Sequence, residues 1–244
     1  MKGKNAISYM ALIAILLATF TNLYGQVEGL VNVKRVEQII TVGGSTADVP
    51  GFSSEAIQIA LDAIKTRGGG TVKLNPGTYN IIGSVRLSSH TKLTGAGKST
   101  ILKKCDGFKT SFIVDADWGM LKAVVKDASG FKRGMGIELY DDKNRHGYDV
   151  STAVITDIQD NVIYFDNRNI HDYYAGLNGT ISNACSIIEA VEVEEVTISN
   201  LVIEGNKANN DSLNGCRGGG VFIQKSRNCL VEKCSGKRLQ WRFI

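Results

Sequence analysis

Two short segments near the end of the chain, 196–201 and 229–234, repeat the same spacing of apolar residues 33 positions apart. In each copy the first and third residues share one face of a strand, and the sixth follows a bend that turns the chain inward again. A unit of strand and corner that recurs in this way is typical of a parallel β-helix. A sandwich or a barrel of short strands remains the alternative.

One helix is predicted, from about Ser54 to Thr66. Apolar residues recur there with helical spacing and draw a single stripe, formed by Ile57, Ala60, Leu61 and Ile64. Ser53 or Ser54 supplies the N-cap, and the glycines at 68–70 end the helix.

Short strands follow this helix at intervals of six to nine residues. They are predicted at 71–74, 79–82, 85–87, 91–93 and 100–102. Such brief and evenly spaced strands argue against a doubly wound α/β fold, because parallel strands of that fold need a helix between them.

The middle of the chain differs from both ends because it is rich in aspartate and contains longer strand-like runs. We interpret it as a small β module inserted between early and late coils. The predicted divisions are a signal peptide (1–25), a lead segment (26–50), the helix with the first coils (51–111), the inserted module (112–186), further coils (187–236) and an aberrant tail (237–244).

The beginning of the chain has the order of charges and apolar residues found in an export signal. Lys2 and Lys4 precede an apolar run that ends at Phe20, and Gly25 closes a short polar stretch. The run is shorter than the roughly 20 residues that span a bilayer as a helix, so we expect cleavage after Gly25 and no stable membrane insertion. An uncleaved anchor is the alternative. The mature protein is expected to be secreted, either extracellular or periplasmic.

Charge and glycine pattern exclude two other classes of function. Removal of Lys2 and Lys4 with the signal lowers the formal charge from +4 to +2, which gives no reason to expect a nucleic-acid partner. The segment Gly95–Thr100 resembles part of a phosphate-binding loop, but Lys92 stands where the first glycine is needed and no strong helix follows.

The segment from Gly68 to Tyr79 resembles the entry into pectate-lyase-like β-helices, and 91–102 is similar to the next coil of that superfamily. The stretch 214–223 looks like a later coil. The resemblance implies an all-β fold: a right-handed parallel β-helix, or solenoid, whose N-terminal helix caps the first coil. It also implies a polysaccharide partner, because the superfamily contains lyases, hydrolases, epimerases and non-catalytic tailspike or adhesin-like proteins.

Lyase chemistry in this superfamily needs a cationic base and often Ca²⁺ to neutralise the sugar carboxylate. Lys207, Arg217 and Asp211 are therefore the candidate catalytic residues, on a loop between the late coils. A solvated polar loop without catalytic function is the alternative. No cofactor other than this Ca²⁺ is expected, and no residues are assigned to hold it.

Carbohydrate binding is predicted for Asn209 and Asn210 on the same loop and for Tyr173 and Tyr174 in the module, where ordinary packing is the alternative. Hydrolysis would need two positioned carboxylates. The pair Asp141–Asp142 is interpreted as a surface turn instead.

The combined prediction is an exported lyase or hydrolase of acidic polysaccharide such as pectin. A non-catalytic carbohydrate-binding or adhesin-like β-helix is the alternative. The last eight residues lose the alternating pattern, so we expect a truncated or frameshifted, inactive form, with a genuine short C-terminus as the alternative.

Overall fold

A computed structural model describes residues 38–146, 149–211 and 218–240, which belong to one compact unit. The predicted signal peptide and Arg217 lie outside these residues. Within them, no helix has the length and apolar character that crossing a membrane requires.

The helix α1 (Ser54–Lys65) confirms the predicted helix. The Ser53 side chain accepts a hydrogen bond from the backbone N–H of Ala56, and Glu55 lies in the first turn, where a negative charge is favourable. The stripe formed by Ile57, Ala60, Leu61 and Ile64 is buried and packs into the same core as the parallel strands. The helix lies against the first five strands of the chain.

Three parallel sheets account for most of the strands in the described part of the chain. Sheet I contains, in spatial order, β1 (Ile39–Val42), β2 (Gly70–Leu74), β5 (Thr91–Thr94), β14 (Thr197–Ser199) and β17 (Leu230–Glu232). Sheet II contains β3 (Gly77–Ile81), β6 (Thr100–Lys104), β15 (Val202–Glu204) and β18 (Ser235–Lys237). Sheet III contains β4 (Val85–Arg86), β13 (Ile188–Val191) and β16 (Val221–Gln224).

Successive stretches of chain, which we call coils, each add one strand to each sheet, so that like positions lie above one another. The first coil contains β2, β3 and β4, the second β5, β6 and β13, and the third β14, β15 and β16. In sheet I, Val72 pairs with Leu93, Leu93 with Ile198, and Ile198 with Val231. The last of these pairs confirms the 33-residue repeat of the sequence. The side chains of this column are buried except for the partly buried Val231, and they form the core together with the stripe of α1.

The corners of the late coils repeat with the same period. Glu195 and Asn228 have φ of 55° and 54°, and Asn200 and Lys233 have φ of 54° and 52°. Left-handed backbone at equivalent corners lets each strand turn at the same place in the stack. Backbone hydrogen bonds join these corners, for example from the Glu195 N–H to the Arg227 carbonyl.

An antiparallel sheet interrupts the second coil, between β6 and β13. It contains β7 (Lys109–Ser111), β8 (Lys122–Val124), β9 (Gly136–Tyr140), β10 (Ser151–Gln159), β11 (Val162–Phe165) and β12 (Thr180–Asn183). Its spatial order is β7-β12-β9-β10-β11-β8, and it has its own apolar core around Ile137, Leu139, Ile155 and Ile181. The division of the chain at residues 112 and 186 remains a prediction.

Asp141 differs from the surface turn that we predicted for Asp141–Asp142, because it is fully buried. Its carboxylate accepts hydrogen bonds from the backbone N–H groups of Lys143, Asn144 and Tyr174. These bonds replace the water that a buried carboxylate loses. Asp142 is exposed, as expected for a turn.

Candidate functional site

A cleft of about 550 Å³ lies between the outer face of sheet III and the antiparallel sheet. Val85, Ile188 and Val221 of sheet III point into the core, so the following residue of each strand points outward. Those residues are Arg86, Glu189 and Phe222, and they line the cleft.

The three outward residues form one row across sheet III. Glu189 is paired with Arg86 on one side and with Phe222 on the other. Because adjacent strands lie about 4.8 Å apart, the row is long enough to contact more than one sugar unit. It offers a guanidinium, a carboxylate and an aromatic ring in that order.

Contacts with neighbouring residues hold Arg86 and Glu189 in place. The Gln58 side chain on α1 accepts a hydrogen bond from the Arg86 backbone N–H and donates one to its carbonyl. The Ser84 hydroxyl donates to Glu189 Oε1 at 2.7 Å, and Arg86 Nε lies 3.7 Å from Glu189 Oε2. The Arg86 side chain is 52% exposed, so its guanidinium is accessible to a ligand in the cleft.

The opposite wall of the cleft comes from β10 and the turn after β11. Asp166 Oδ1 accepts a hydrogen bond from the Val154 backbone N–H at 2.7 Å, and Asn167 Nδ2 donates to the Thr152 carbonyl at 3.0 Å. Both side chains therefore fix the turn to the strand. The wall is polar at this edge and adds hydroxyl and amide groups to the cleft.

Cys185 lies in the lining of the cleft, but it is poorly suited to act as a nucleophile. Burial raises the pKa of its thiol to about 12, so the thiolate form is disfavoured at neutral pH. Cys105, Cys185, Cys229 and Cys234 are free thiols, and Cys216 lies outside the described residues.

The predicted site on the late loop lies elsewhere, against the start of the antiparallel sheet. Lys207 and Asn209 belong to a 3₁₀ turn (Lys207–Asn209) and are exposed. Asp211 forms an ion pair with Lys109, with 2.6 Å between Oδ2 and Nζ. Asn210 Nδ2 donates to the carbonyls of Cys105 and Asn206.

Two charged residues that contact this loop, Lys109 and Asp106, have pKa values shifted in the direction that favours their ionised forms. The hydrogen bond with Asp211 raises the pKa of Lys109 above its ordinary value. Hydrogen bonds from the amides of Asn206 and Asn209 lower the pKa of Asp106. Neither Lys109 nor Asp106 is therefore prepared to accept a proton near neutral pH.

The two tyrosines predicted to bind carbohydrate behave differently from each other. Tyr173 is fully buried, and its hydroxyl lies 2.8 Å from the Ser151 hydroxyl and donates to the Asp149 carbonyl at 2.9 Å. In this position its ring cannot stack on a sugar, so ordinary packing accounts for it. Tyr174 is 37% exposed and lines neither the cleft nor the surface beside residues 207–211.

The described residues do not fit the Ca²⁺ that the resemblance implies for a lyase. They contain no group of three or more acidic, histidine or cysteine side chains placed to hold a metal ion. Asp211 is paired with Lys109, and Asp106 accepts amide hydrogen bonds. A Ca²⁺ site normally gathers six to eight oxygen ligands.

Comparison with known proteins agrees with this fold. A family model described as rhamnogalacturonase A/epimerase, pectate lyase-like, matches residues 40–122. Alginate lyase 7 of Azotobacter vinelandii is 28% identical over 162 residues, which cover 63% of this chain and 16% of that protein. The chain thus spans about one sixth of the length of this curated relative. These findings support the resemblance of the chain to the pectate-lyase-like superfamily.

Two solved structures share a distant likeness with the chain. The A-module of a mannuronan C-5 epimerase from Azotobacter vinelandii is 18% identical, with 76% of this chain and 34% of that one covered and a TM-score of 0.40. A tailspike of an Acinetobacter baumannii bacteriophage, in complex with a capsular saccharide of that bacterium, is 15% identical. There the coverage is 73% of this chain and 32% of the other, with a TM-score of 0.30.

The row formed by Arg86, Glu189 and Phe222 is not among the residues predicted from the sequence. Each residue follows a buried apolar residue in a strand, and this alternation was a signal that each would point outward. Their alignment was hidden because the antiparallel sheet separates Arg86 from Glu189 in the sequence.

Proposed function

We propose that this protein is an exported β-helix protein that binds an acidic, uronate-containing polysaccharide in the cleft above sheet III. The observation that carries the proposal is the accessible row of Arg86, Glu189 and Phe222 across three paired strands. The match to a rhamnogalacturonase A/epimerase, pectate lyase-like family supports a polysaccharide as the ligand class, and the relative named alginate lyase 7 supports an acidic one.

The proposal includes a finer description of the fold. We infer that the coils wind as a right-handed solenoid and that α1 covers the first coil. In support, the apolar stripe of α1 shares one core with the inward columns of the parallel sheets. A helix in this position would shield an apolar coil end and unpaired strand edges from association with other molecules. An experimental structure with left-handed winding, or with α1 away from the first coil, would contradict this inference.

Arg86 is suited to recognise the carboxylate that each uronate unit carries. A guanidinium forms paired, charge-assisted hydrogen bonds with a carboxylate, and it remains charged at any physiological pH. Phe222 lies two strands away, on the other side of Glu189, and offers an apolar ring on which the apolar face of a neighbouring sugar unit can pack. Thr152 and Asn167 on the opposite wall supply groups that can bond to sugar hydroxyls.

We further propose that the described residues bind the polymer without cleaving it. Hydrolysis needs one free acid and one free base or nucleophile. In the cleft, however, Glu189 accepts a hydrogen bond from Ser84 and lies near Arg86, and Asp166 accepts one from the Val154 backbone. We propose a lyase or hydrolase activity only for the whole protein. For the described residues we favour the alternative, a non-catalytic β-helix that binds carbohydrate.

Export is proposed on the sequence of the first 25 residues. The mature protein would then begin at Gln26 and act outside the cytoplasm. Expression with the full leader, followed by mass measurement of the secreted protein, tests this proposal. Retention of the leader in a membrane fraction would favour an uncleaved anchor instead.

The function is tested by affinity electrophoresis of the full chain in gels that contain polygalacturonate, alginate or a neutral galactomannan. Arg86→Ala should weaken binding to the two acidic polymers by about tenfold to a hundredfold, because a charge-assisted pair is worth about 1.5–3 kcal/mol. The matched control is Lys73→Ala, which removes an exposed cation from the outer side of sheet I.

Two results would contradict the proposal. One is equal loss of affinity in Arg86→Ala and Lys73→Ala, which would show only a nonspecific effect of charge. The other is unchanged retention of Arg86→Ala in every gel. A parallel assay for unsaturated uronides, measured by ultraviolet absorbance, should remain at background for this chain. Product release would instead favour the catalytic interpretation.

A further inference from the structure

A small polar pocket of about 210 Å³ lies where the antiparallel sheet leaves the second coil. We call it the neck pocket. It is lined by Gly107, Phe108, Lys109, Ser182, Asn183 and the loop 208–211. The neck pocket and the cleft have no lining residue in common. They are neighbours in the sequence, because residues 182–183 line the pocket and residues 184–186 line the cleft.

Ser182 is the first indication that the neck pocket receives a ligand. The residue is only 3% exposed, and its hydroxyl has no hydrogen-bond partner among the described residues. A buried hydroxyl without a partner is costly, and such groups are rare in folded proteins. A hydroxyl group of a ligand in the pocket would satisfy it.

The ion pair of Lys109 and Asp211 gives the pocket both a donor and an acceptor. The Lys109 ammonium has three N–H donors, so it can bond to a further acceptor while it holds Asp211. A sugar hydroxyl both donates and accepts, and it can bridge an ammonium and a carboxylate that lie side by side. A free anion is a poorer ligand, because the Asp211 carboxylate would repel it.

Phe108 adds an apolar surface beside these polar groups. Its ring packs edge to face against Phe131, with 5.1 Å between the ring centroids. An aromatic ring near a few convergent polar groups is the usual composition of a small-molecule site. The volume is below the roughly 300–1,000 Å³ of sites for drug-sized ligands, so the pocket fits a single sugar ring and not a chain.

From these observations we infer that the neck pocket is a second carbohydrate site, which binds one sugar unit through its hydroxyl groups and performs no chemistry. The site is independent of the polymer cleft, because none of its residues takes part in the row of Arg86, Glu189 and Phe222.

The inference is tested with D-galactose and D-galacturonate as probes of the full chain. These sugars share a hydroxyl pattern and differ in the carboxylate. Binding is measured by titration calorimetry and by saturation-transfer magnetic resonance. Both sugars should bind, with galactose at least as tight as galacturonate. Ser182→Ala and Asp211→Asn should each weaken galactose binding by up to about tenfold, because the first removes a hydrogen bond to the ligand and the second replaces a charged acceptor by a weaker neutral one.

Lys109→Met removes the ammonium group that lines the pocket. Its matched control is Lys122→Met, because Lys122 is an exposed lysine at the other edge of the antiparallel sheet. Galactose binding should fall in Lys109→Met and stay unchanged in Lys122→Met. Thermal unfolding of each variant shows whether the loss reflects misfolding, and Ser182→Ala, which only removes a hydroxyl, is the variant least able to disturb the fold.

Three results would overturn the inference. The first is the absence of galactose binding to the wild-type chain. The second is unchanged binding in both Ser182→Ala and Asp211→Asn. The third is loss of galactose binding in Arg86→Ala, which would place the sugar in the cleft. If instead Arg86→Ala loses polymer binding and keeps galactose binding, both sites are supported. Failure of polymer binding alone would contradict only the proposed function.

Discussion

Arg238 donates two hydrogen bonds to the carboxylate of Glu204, from Nε to Oε1 at 2.9 Å and from Nη2 to Oε2 at 2.7 Å. Glu204 ends β15, and Arg238 directly follows the paired strand β18. The glutamate side chain is only 5% exposed, whereas the arginine side chain is 69% exposed. The predicted aberrant tail begins at residue 237, and the structure describes it as far as residue 240. This ion pair joins that described part to the third coil.

Replacement of Arg238 by methionine should destabilise the protein by about 1–3 kcal/mol, because it leaves a buried carboxylate without its charged partner. Urea unfolding at neutral pH measures the loss. The control is Arg227→Met, which breaks an exposed ion pair with Glu194 and should cost less than about 1 kcal/mol. Equal costs for the two variants would contradict the importance of burial at Glu204.

The same pair predicts how stability depends on pH. Burial alone would raise the pKa of Glu204, but the hydrogen bonds from Arg238 and the Asn206 N–H lower it below its ordinary value of 4.5. A lowered folded-state pKa contributes stability that is present above pH 4.5 and is lost as the pH falls through the folded-state value. Unfolding measured from pH 6 to 3, at roughly half-unit steps, should show a weaker acid loss in Arg238→Met.

Gly69 should not tolerate a side chain. Its φ is +114°, and a Cβ built there would lie 2.4 Å from the carbonyl oxygen of His90. Gly69→Ala should cost about 3–4 kcal/mol, because the left-handed backbone and the close contact both oppose it. Gly97→Ala is the matched control, since its φ is +73° and no heavy atom lies within 4 Å. It should lose about 1–2 kcal/mol, measured by thermal unfolding.

Tyr79 is predicted to ionise only at very high pH. Burial raises the pKa of its phenol to about 12, and its hydroxyl donates to the Val42 carbonyl at 2.7 Å. A raised folded-state pKa means that its stabilising contribution is present below pH 10 and is lost as the pH rises toward 12. Ultraviolet titration of wild type and Tyr79→Phe should differ by one late ionisation.

Tyr79→Phe should also cost about 1–2 kcal/mol at neutral pH, because the Val42 carbonyl loses a buried donor. The half-buried Tyr164 provides the control, and Tyr164→Phe should change the free energy of unfolding by less than about 0.5 kcal/mol. No difference between the two variants would mean that the Tyr79 hydroxyl contributes little.

Glu189→Gln should strengthen binding of acidic polysaccharide. The substitution removes the carboxylate that lies 3.7 Å from Arg86 and leaves the guanidinium for the ligand. An ion pair of this exposure is worth about 0.5–1 kcal/mol, so the affinity for polygalacturonate should rise about twofold to fivefold. Glu192→Gln changes the net charge equally at an exposed pair with Lys225 and should have little effect. Weaker binding in Glu189→Gln would show that the carboxylate itself contacts the sugar.

The helix and the repeat could be predicted because each is a local pattern. The stripe of α1 depends on residues within two turns, and the 33-residue repeat depends on two intact neighbouring coils. The strands β1, β7 and β12 were not predicted. They are short, and much of their stability comes from pairing with strands that are distant in the sequence.

The candidate cleft could not be predicted, because its floor joins residues from three different coils. Glu189 follows Arg86 by more than 100 residues, and the intervening antiparallel sheet conceals the period that brings them together. Buried Tyr173 illustrates the opposite error. Aromatic and acidic residues together suggested a sugar-binding surface, but the tertiary packing of the ring decided the outcome.

The antiparallel sheet departs from and returns to a single coil, and the strands on either side of it keep the pairing of an uninterrupted stack. Those of its residues that do not contact the parallel strands can therefore vary without a change in the pairing of the stack. One wall of the cleft is thus free to diverge while the floor stays fixed. Grafting a different loop at this point would be a direct way to alter ligand preference, in evolution or in the laboratory.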